Sequence, residues 1–169
     1  AFAKDSSGSF VFSAPGSLIS EIEKHFEIVL TDELSFFAPT GKAGEIFEIP
    51  VSAENAQTDR IFLVGIGDSS TASFRIAATT IARKVRGKNT TVYSACAIAT
   101  PDIKAHAISL TLGAFLWNLK TGEPAGKPNF LVATNEKEVI NAAHTIAKAI
   151  THARNLVHTP SNIKNPAWM

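Results

Sequence analysis

From residue 60 onward, short apolar runs alternate regularly with longer amphipathic segments, and this alternation restricts the fold more than any other feature of the sequence. The run RIFLVGIG at residues 60–67 ends in glycines, which is typical of a strand covered on both faces. Ser69 or Ser70 can cap a following helix, because a serine hydroxyl accepts a hydrogen bond from an otherwise unpaired backbone N–H. Gly87 ends that helix. These residues predict one strand–helix unit.

Two more units of this kind follow along the chain. TTVYSACAIA at residues 90–99 predicts a strand, after which Thr100 caps and Pro101 begins a helix running to about Lys120. NFLVAT at residues 129–134 predicts a third strand. Asn135 with Glu138 three residues later forms a capping box for a long helix that ends before residue 160.

The first third of the chain is less regular but contains both kinds of element. Leu18, Ile22 and Phe26 form a helical stripe, and GEIFEIPV alternates as a strand does, with Phe47 and Ile49 on one face. Strands that alternate with helices predict an α/β fold with a mostly parallel sheet flanked by helices on both faces. The chain has 169 residues, of which 45% are hydrophobic, enough for one buried core and too few for two ordinary domains.

The predicted helix at residues 103–119 is apolar on two sides, which indicates burial on two sides. Gly113 in its interior costs about 1 kcal/mol relative to alanine, so we expect another backbone to approach closely there. Deep packing against the sheet is the favoured interpretation, and a contact with another domain or subunit is the alternative.

Composition narrows the classes of function. A net charge of +1 gives no strong field to attract nucleic acid or anionic lipid, and the single Cys96 can form neither an internal disulfide nor a cysteine metal cluster. No signal peptide and no apolar span near 18 residues is present, so the expected compartment is the cytoplasm and no membrane partner is predicted.

The turn GIGDSS between a strand and a helix is half of a dinucleotide-binding fingerprint, since glycines let backbone N–H groups approach a phosphate. Ser70 stands at the third glycine position, and no carboxylate follows where a ribose-binding acid would lie. A tight turn with no ligand is therefore the favoured interpretation.

The histidines, the cysteine and the basic segment each have a simpler structural explanation. His144 and His152 share a helix face, but Lys148 lies between them and would repel a cation. His158 lies on a different face, and Cys96 in an apolar strand is expected to be a small core residue. The basic segment at residues 74–88 is expected to be a solvated helix face, because aromatic residues suited to nucleic acid are not interleaved with it.

Three stretches together resemble the cytosol leucyl aminopeptidase family. FLVGIGDSS…FRIAATTIAR is similar to its strand-turn-helix unit, and LTLGAFLWNLK is similar to its Leu-Gly-x-Tyr-x-Phe helix, with Phe115 and Trp117 replacing the usual aromatics. ARNLVHTPSNIKNPAWM resembles the linker that joins the family's two domains. Asn155 and His158 depart from its commonest residues.

The resemblance implies an amino-terminal domain at residues 1–152, similar to macro domains, and at residues 153–169 a linker with the start of a missing catalytic domain. Asn165 and Pro166 open a helix that only three more residues follow, so we expect a fragment of a longer protein. In the family the second domain holds two divalent metal ions, manganese, zinc or magnesium, which activate water for peptide hydrolysis.

The resemblance also implies a homohexameric parent that acts on peptide substrates, in which this domain contacts its own catalytic domain and serves in assembly or regulation. No catalytic, cofactor-binding or metal-binding residue is assigned to this chain, so we expect it to be inactive alone. The alternatives are a free-standing macro-like module that binds a nucleotide at residues 65–70, and a nucleic-acid contact through Arg83, Lys84 and the rest of the basic segment.

Overall fold

The computed structural model describes residues 1–52, 57–117, 122–161 and 163–164. Eleven elements occur in these ranges: β1 (Phe2–Lys4), β2 (Phe10–Phe12), α1 (Leu18–Phe26), α2 (Leu30–Phe36), β3 (Ile46–Pro50), β4 (Arg60–Val64), α3 (Thr71–Val85), β5 (Thr91–Ser94), α4 (Thr100–Gly113), β6 (Asn129–Val132) and α5 (Lys137–His158). The α/β class is confirmed. The short α2 and the pair β1 and β2 were not predicted from the sequence.

The strands form small two-stranded sheets. Whether a pair is parallel or antiparallel depends on the length of the chain that connects its two strands. β5 and β6, joined through α4, are parallel as predicted, whereas β1 with β2 and β3 with β4 are antiparallel. A parallel pair needs a crossover of a dozen or more residues, and the links at residues 5–9 and 51–59 are too short for one. A parallel bridge between Phe2 and Gly65 joins the first hairpin to the end of β4.

Two hydrophobic clusters lie on opposite faces of the β3–β4 pair. Leu63 packs with Leu30 and Leu34 of α2, whereas the next residue, Val64, packs with α3 and α4. Successive side chains of a strand point to opposite faces, so this pair is covered by helices on both sides, as predicted.

Helix α3 follows the sequence prediction closely. Ser70 is its N-cap and accepts a hydrogen bond from the Ser73 N–H at 3.3 Å. The helix ends at Val85, and Gly87 directly beyond it has a φ of 81°, a left-handed conformation that glycine adopts without strain.

Helix α4 is shorter than predicted, because it ends at Gly113 and not near Lys120. Residues 118–121 lie outside the described part of the chain. A Cβ built on Gly113 would lie 2.9 Å from the Ala82 Cβ and 3.2 Å from the Thr79 Cα, so the expected close approach of another backbone is confirmed. α4 packs between α3 and α5, which agrees with the deep-packing interpretation.

Helix α5 exists and ends before residue 160 as predicted, but its predicted capping box is wrong. The N-cap is Glu136, no side chain caps the helix, and Thr134 instead accepts a hydrogen bond from the Glu136 N–H at 3.1 Å. Residues 153–158, predicted to begin the linker, are the last turns of α5. The predicted helix start at residues 165–169 lies outside the described residues.

We searched the described helices for one long and apolar enough to cross a membrane and found none.

Candidate functional site

The turn that resembles a phosphate-binding loop is filled by a carboxylate of the chain itself. Asp68 Oδ1 accepts hydrogen bonds from the Ser70 N–H at 3.1 Å and from the Ser73 hydroxyl at 2.6 Å. Hydrogen bonds from Ser73 and then Ser70 stabilise the ionised form, so the pKa of Asp68 is lowered to about 2. The positive N-terminus of α3 therefore already holds an anion, which would repel a phosphate.

The glycine that begins this turn is required by packing. A Cβ on Gly65 would lie 2.2 Å from the backbone oxygen of Lys42, far inside any allowed contact. The Gly65 N–H donates to the Glu45 oxygen at 2.8 Å, and the Gly44 N–H donates to the Gly65 oxygen at 2.9 Å. Two backbone segments thus meet where a side chain would stand. The geometry favours a tight structural turn over a nucleotide site.

The histidines predicted to be solvated are not gathered into a metal site. His144 and His152 are exposed along α5. In the ranges that the structure covers, no group of three or more His, Cys, Asp or Glu side chains could hold a metal ion. The resemblance places the two divalent ions in the second domain, and no step of metal chemistry is assigned to these residues.

The sequence analysis missed one polar cluster, which joins Cys96 to a buried histidine. The Ser94 hydroxyl lies 2.8 Å from His106 Nε2 and 3.5 Å from Cys96 Sγ, and His106 Nδ1 lies 3.2 Å from the Phe74 oxygen. A carbonyl oxygen can only accept, so these partners assign the proton to Nδ1 and make Nε2 the acceptor of the Ser94 hydroxyl. Every ring nitrogen of His106 is then satisfied.

This Cys96–Ser94–His106 cluster is closed to solvent. The exposed fractions are 7% for Cys96, 3% for Ser94 and 0% for His106, so the cluster is buried and forms no open site. The cluster satisfies buried polar groups of the core. The position of His106 in the apolar stripe with Ile103 and Leu110 was its only sequence signal.

The basic segment is a helix face, and part of its charge is neutralised. Lys84 lies 2.9 Å from Glu48 of β3, which also pairs with Arg60. Arg75 and Arg83 are exposed at the two ends of a shallow depression of about 230 Å³. Arg75 and Arg83 remain exposed while Lys84 is paired, which agrees with the predicted solvated helix face.

The end of α5 is fastened to the segment that follows α4. The Arg154 guanidinium donates to the Leu112 oxygen at 3.0 Å and lies 5.5 Å from the centre of the Phe115 ring. The His158 ring stacks on Phe115 and on Trp117, with centroid distances of 5.9 and 5.5 Å. The helix therefore keeps a fixed direction up to its last residue.

Known proteins share both the sequence pattern and the fold of this chain. The sequence model of the cytosol aminopeptidase family, N-terminal domain, matches residues 12–121. A "Probable cytosol aminopeptidase" of Nocardia farcinica is 30% identical over 152 residues, which cover 82% of this chain and 30% of the relative. The chain therefore spans about 30% of the length of this curated relative.

Solved structures of similar fold include two kinds of protein. A tomato leucine aminopeptidase mutant is similar with a TM-score of 0.65 and 21% identity, over 98% of this chain and 35% of the tomato chain. The bottromycin maturation enzyme BotP is similar with a TM-score of 0.64 and 22% identity, over 79% of this chain and 31% of its own. Another BotP structure is a complex with manganese. At these identities the likeness concerns the fold alone.

Proposed function

Because this chain belongs to the cytosol aminopeptidase family, as its amino-terminal domain, we propose that it is the non-catalytic domain of a metal-dependent leucyl aminopeptidase. The parent enzyme removes amino-terminal residues from peptides. The observation that carries this proposal is the match of the family's amino-terminal domain to a chain that spans only 30% of its curated relative.

The remainder of the parent protein supplies the chemistry in this proposal. Two divalent ions, manganese, zinc or magnesium, bind there and activate water for attack on the peptide carbonyl. The manganese complex of BotP supports metal use among proteins of this fold. The relative's description as a cytosol aminopeptidase supports the cytoplasm as the compartment.

The role of this domain is to support and orient the rest of the enzyme, in assembly or regulation of a homohexamer. α5 has 22 residues and is about 33 Å long, and Arg154 and His158 hold its last turns against Leu112, Phe115 and Trp117. A helix whose last turns are held in this way transmits the orientation of the domain to the rest of the enzyme.

Deletion of this domain tests the assignment. The complete product of the gene is compared with the same product lacking residues 1–158, a boundary that removes α5 whole. We expect unchanged manganese content per chain by atomic absorption, together with a smaller assembly by light scattering or altered peptide hydrolysis. Loss of the metal on deletion would contradict the proposal, because this domain would then hold part of the metal centre.

A further inference from the structure

Strand β6 has one edge that carries unpaired backbone groups. The Asn129 N–H donates to the Thr90 oxygen and the Ala133 N–H to the Ser94 oxygen, both at 2.8 Å, so these residues face β5. Backbone groups alternate in direction along a strand, so those of Phe130 and Val132 point away from β5. Over the described ranges, no other strand pairs on that side. Such an edge is a template for another strand.

A groove of about 370 Å³ lies between α4 and α5 and is lined in part by β6. Three successive residues of β6, from Phe130 to Val132, line it together, so the edge of the strand forms part of its wall. Ile140 of α5 adds apolar surface, whereas Leu110 of α4 borders the groove but is fully buried. The groove thus combines free backbone groups with an apolar floor.

The wall formed by α5 is rich in hydrogen-bond donors and has no acid. Lys137, Asn141 and His144 follow one another at steps of four and three, which places them on one face of the helix. Their side chains are exposed and have no hydrogen bond or ion pair with other described residues. No Asp or Glu lines the groove. Its charge therefore complements an acidic ligand.

We propose that an extended acidic peptide segment binds in this groove as an added strand beside β6. Its backbone pairs with the N–H and C=O groups of Phe130 and Val132, and its acidic side chains meet Lys137 and His144. Main-chain pairing supplies affinity in this mode of recognition, and side chains supply specificity. The proposal goes beyond aminopeptidase activity, because binding at this edge requires no metal and no cleavage.

A second copy of this chain fits the groove less well than an acidic peptide. β6 carries no carboxylate that could meet Lys137 of another copy. Charge complementarity therefore selects the peptide.

The test follows backbone amide exchange in the isotope-labelled chain by NMR. The probe is the acetylated and amidated heptapeptide Thr-Glu-Thr-Val-Thr-Glu-Thr. At saturating peptide we expect the exchange of the Phe130 and Val132 amides to slow at least tenfold. The Asn129 and Ala133 amides, which already pair with β5, serve as internal references and should change little.

Two matched controls separate strand addition from simple charge attraction. The same peptide with alternate backbone nitrogens methylated keeps its charge but loses its donors on one edge, and we expect at least tenfold weaker binding. The double variant Lys137→Glu with His144→Glu should weaken binding of the unmethylated peptide about tenfold. Lys24→Glu makes a similar charge change on α1, outside the groove, and should leave binding unchanged.

Three results would overturn the proposal. Equal binding of the methylated peptide, without slower exchange at Phe130 and Val132, would show attraction by charge alone. Protection of these amides that grows with protein concentration in the absence of peptide would assign the edge to a second copy. Lack of any binding at millimolar peptide would leave the groove without this ligand.

Discussion

Replacing Gly65 with alanine should destabilise the fold, and the size of the effect distinguishes a packing turn from a ligand-binding loop. The new Cβ would lie 2.2 Å from the Lys42 backbone oxygen. Ordinary contacts between carbon and oxygen begin near about 3.3 Å, so the two segments must separate by about 1 Å. Movement of that size weakens the hydrogen bonds of Gly65 with Glu45 and Gly44.

The magnitude follows from these two effects. Overpacking of a well-packed site costs about 1–3 kcal/mol, and each of two weakened backbone hydrogen bonds costs about 0.5–1.5 kcal/mol. The expected loss in the free energy of unfolding is therefore about 2–6 kcal/mol. For a chain of this size, the thermal midpoint should fall by about 10 °C.

Urea unfolding followed by circular dichroism measures this loss, with calorimetry for the midpoint. Gly122→Ala is the matched control, because no atom of the described residues lies within 4 Å of the Cβ it would add. We expect the control to keep the stability of the parent chain. A Gly65→Ala variant within about 0.5 kcal/mol of the parent would refute the packing argument, and the glycine would then be best explained by access for a ligand.

Further predictions concern three other contacts. The pKa of Asp68 is lowered from 3.8 to about 2. Its ionised form therefore stabilises the fold above about pH 4, and this stabilisation disappears as the pH falls toward 2. In urea unfolding, the stability of the Asp68→Asn variant should lack this dependence on pH. Ser94→Ala leaves His106 Nε2 buried without a partner, so the free energy of unfolding should fall by about 1–3 kcal/mol. An unchanged free energy of unfolding would contradict the hydrogen bond between Ser94 and His106. Phe115→Ala should speed amide exchange in the last turn of α5, near His158, while exchange in α1 stays constant.

Local patterns predicted the elements that depend on local signals. α3 has a capping serine and a terminal glycine, and both act as predicted. The end of α4 is different, because apolar residues continue beyond Gly113 while Ala82 and Thr79 of α3 crowd that point. Gly113 predicted the close approach of another backbone, but no residue pattern predicted that the helix ends there.

Three short elements were missed because their stability comes from contacts rather than patterns. α2 has only seven residues, and Leu30 and Leu34 are buried by the first hairpin and β4. β1 and β2 have three residues each, and their turn is held by the Asp5 carboxylate, which accepts hydrogen bonds from the Ser7 and Ser9 N–H groups.

The candidate sites likewise include one that local residues could predict and one that depends on packing. The turn at residues 65–70 could be judged from its missing third glycine, and Asp68 explains in structural terms why a phosphate does not fit. The link from Cys96 through Ser94 to His106 joins a strand to the following helix. Nothing in residue spacing specifies that contact, because it depends on how α4 packs on β5.

The most direct test of a non-catalytic amino-terminal domain is hydrolysis of leucine p-nitroanilide with added manganese. It is measured for this 169-residue chain and for the complete product of its gene. The account predicts no turnover by the chain alone and metal-dependent turnover by the complete product. Turnover by the chain alone, or a complete product without activity toward any aminoacyl amide, would contradict it.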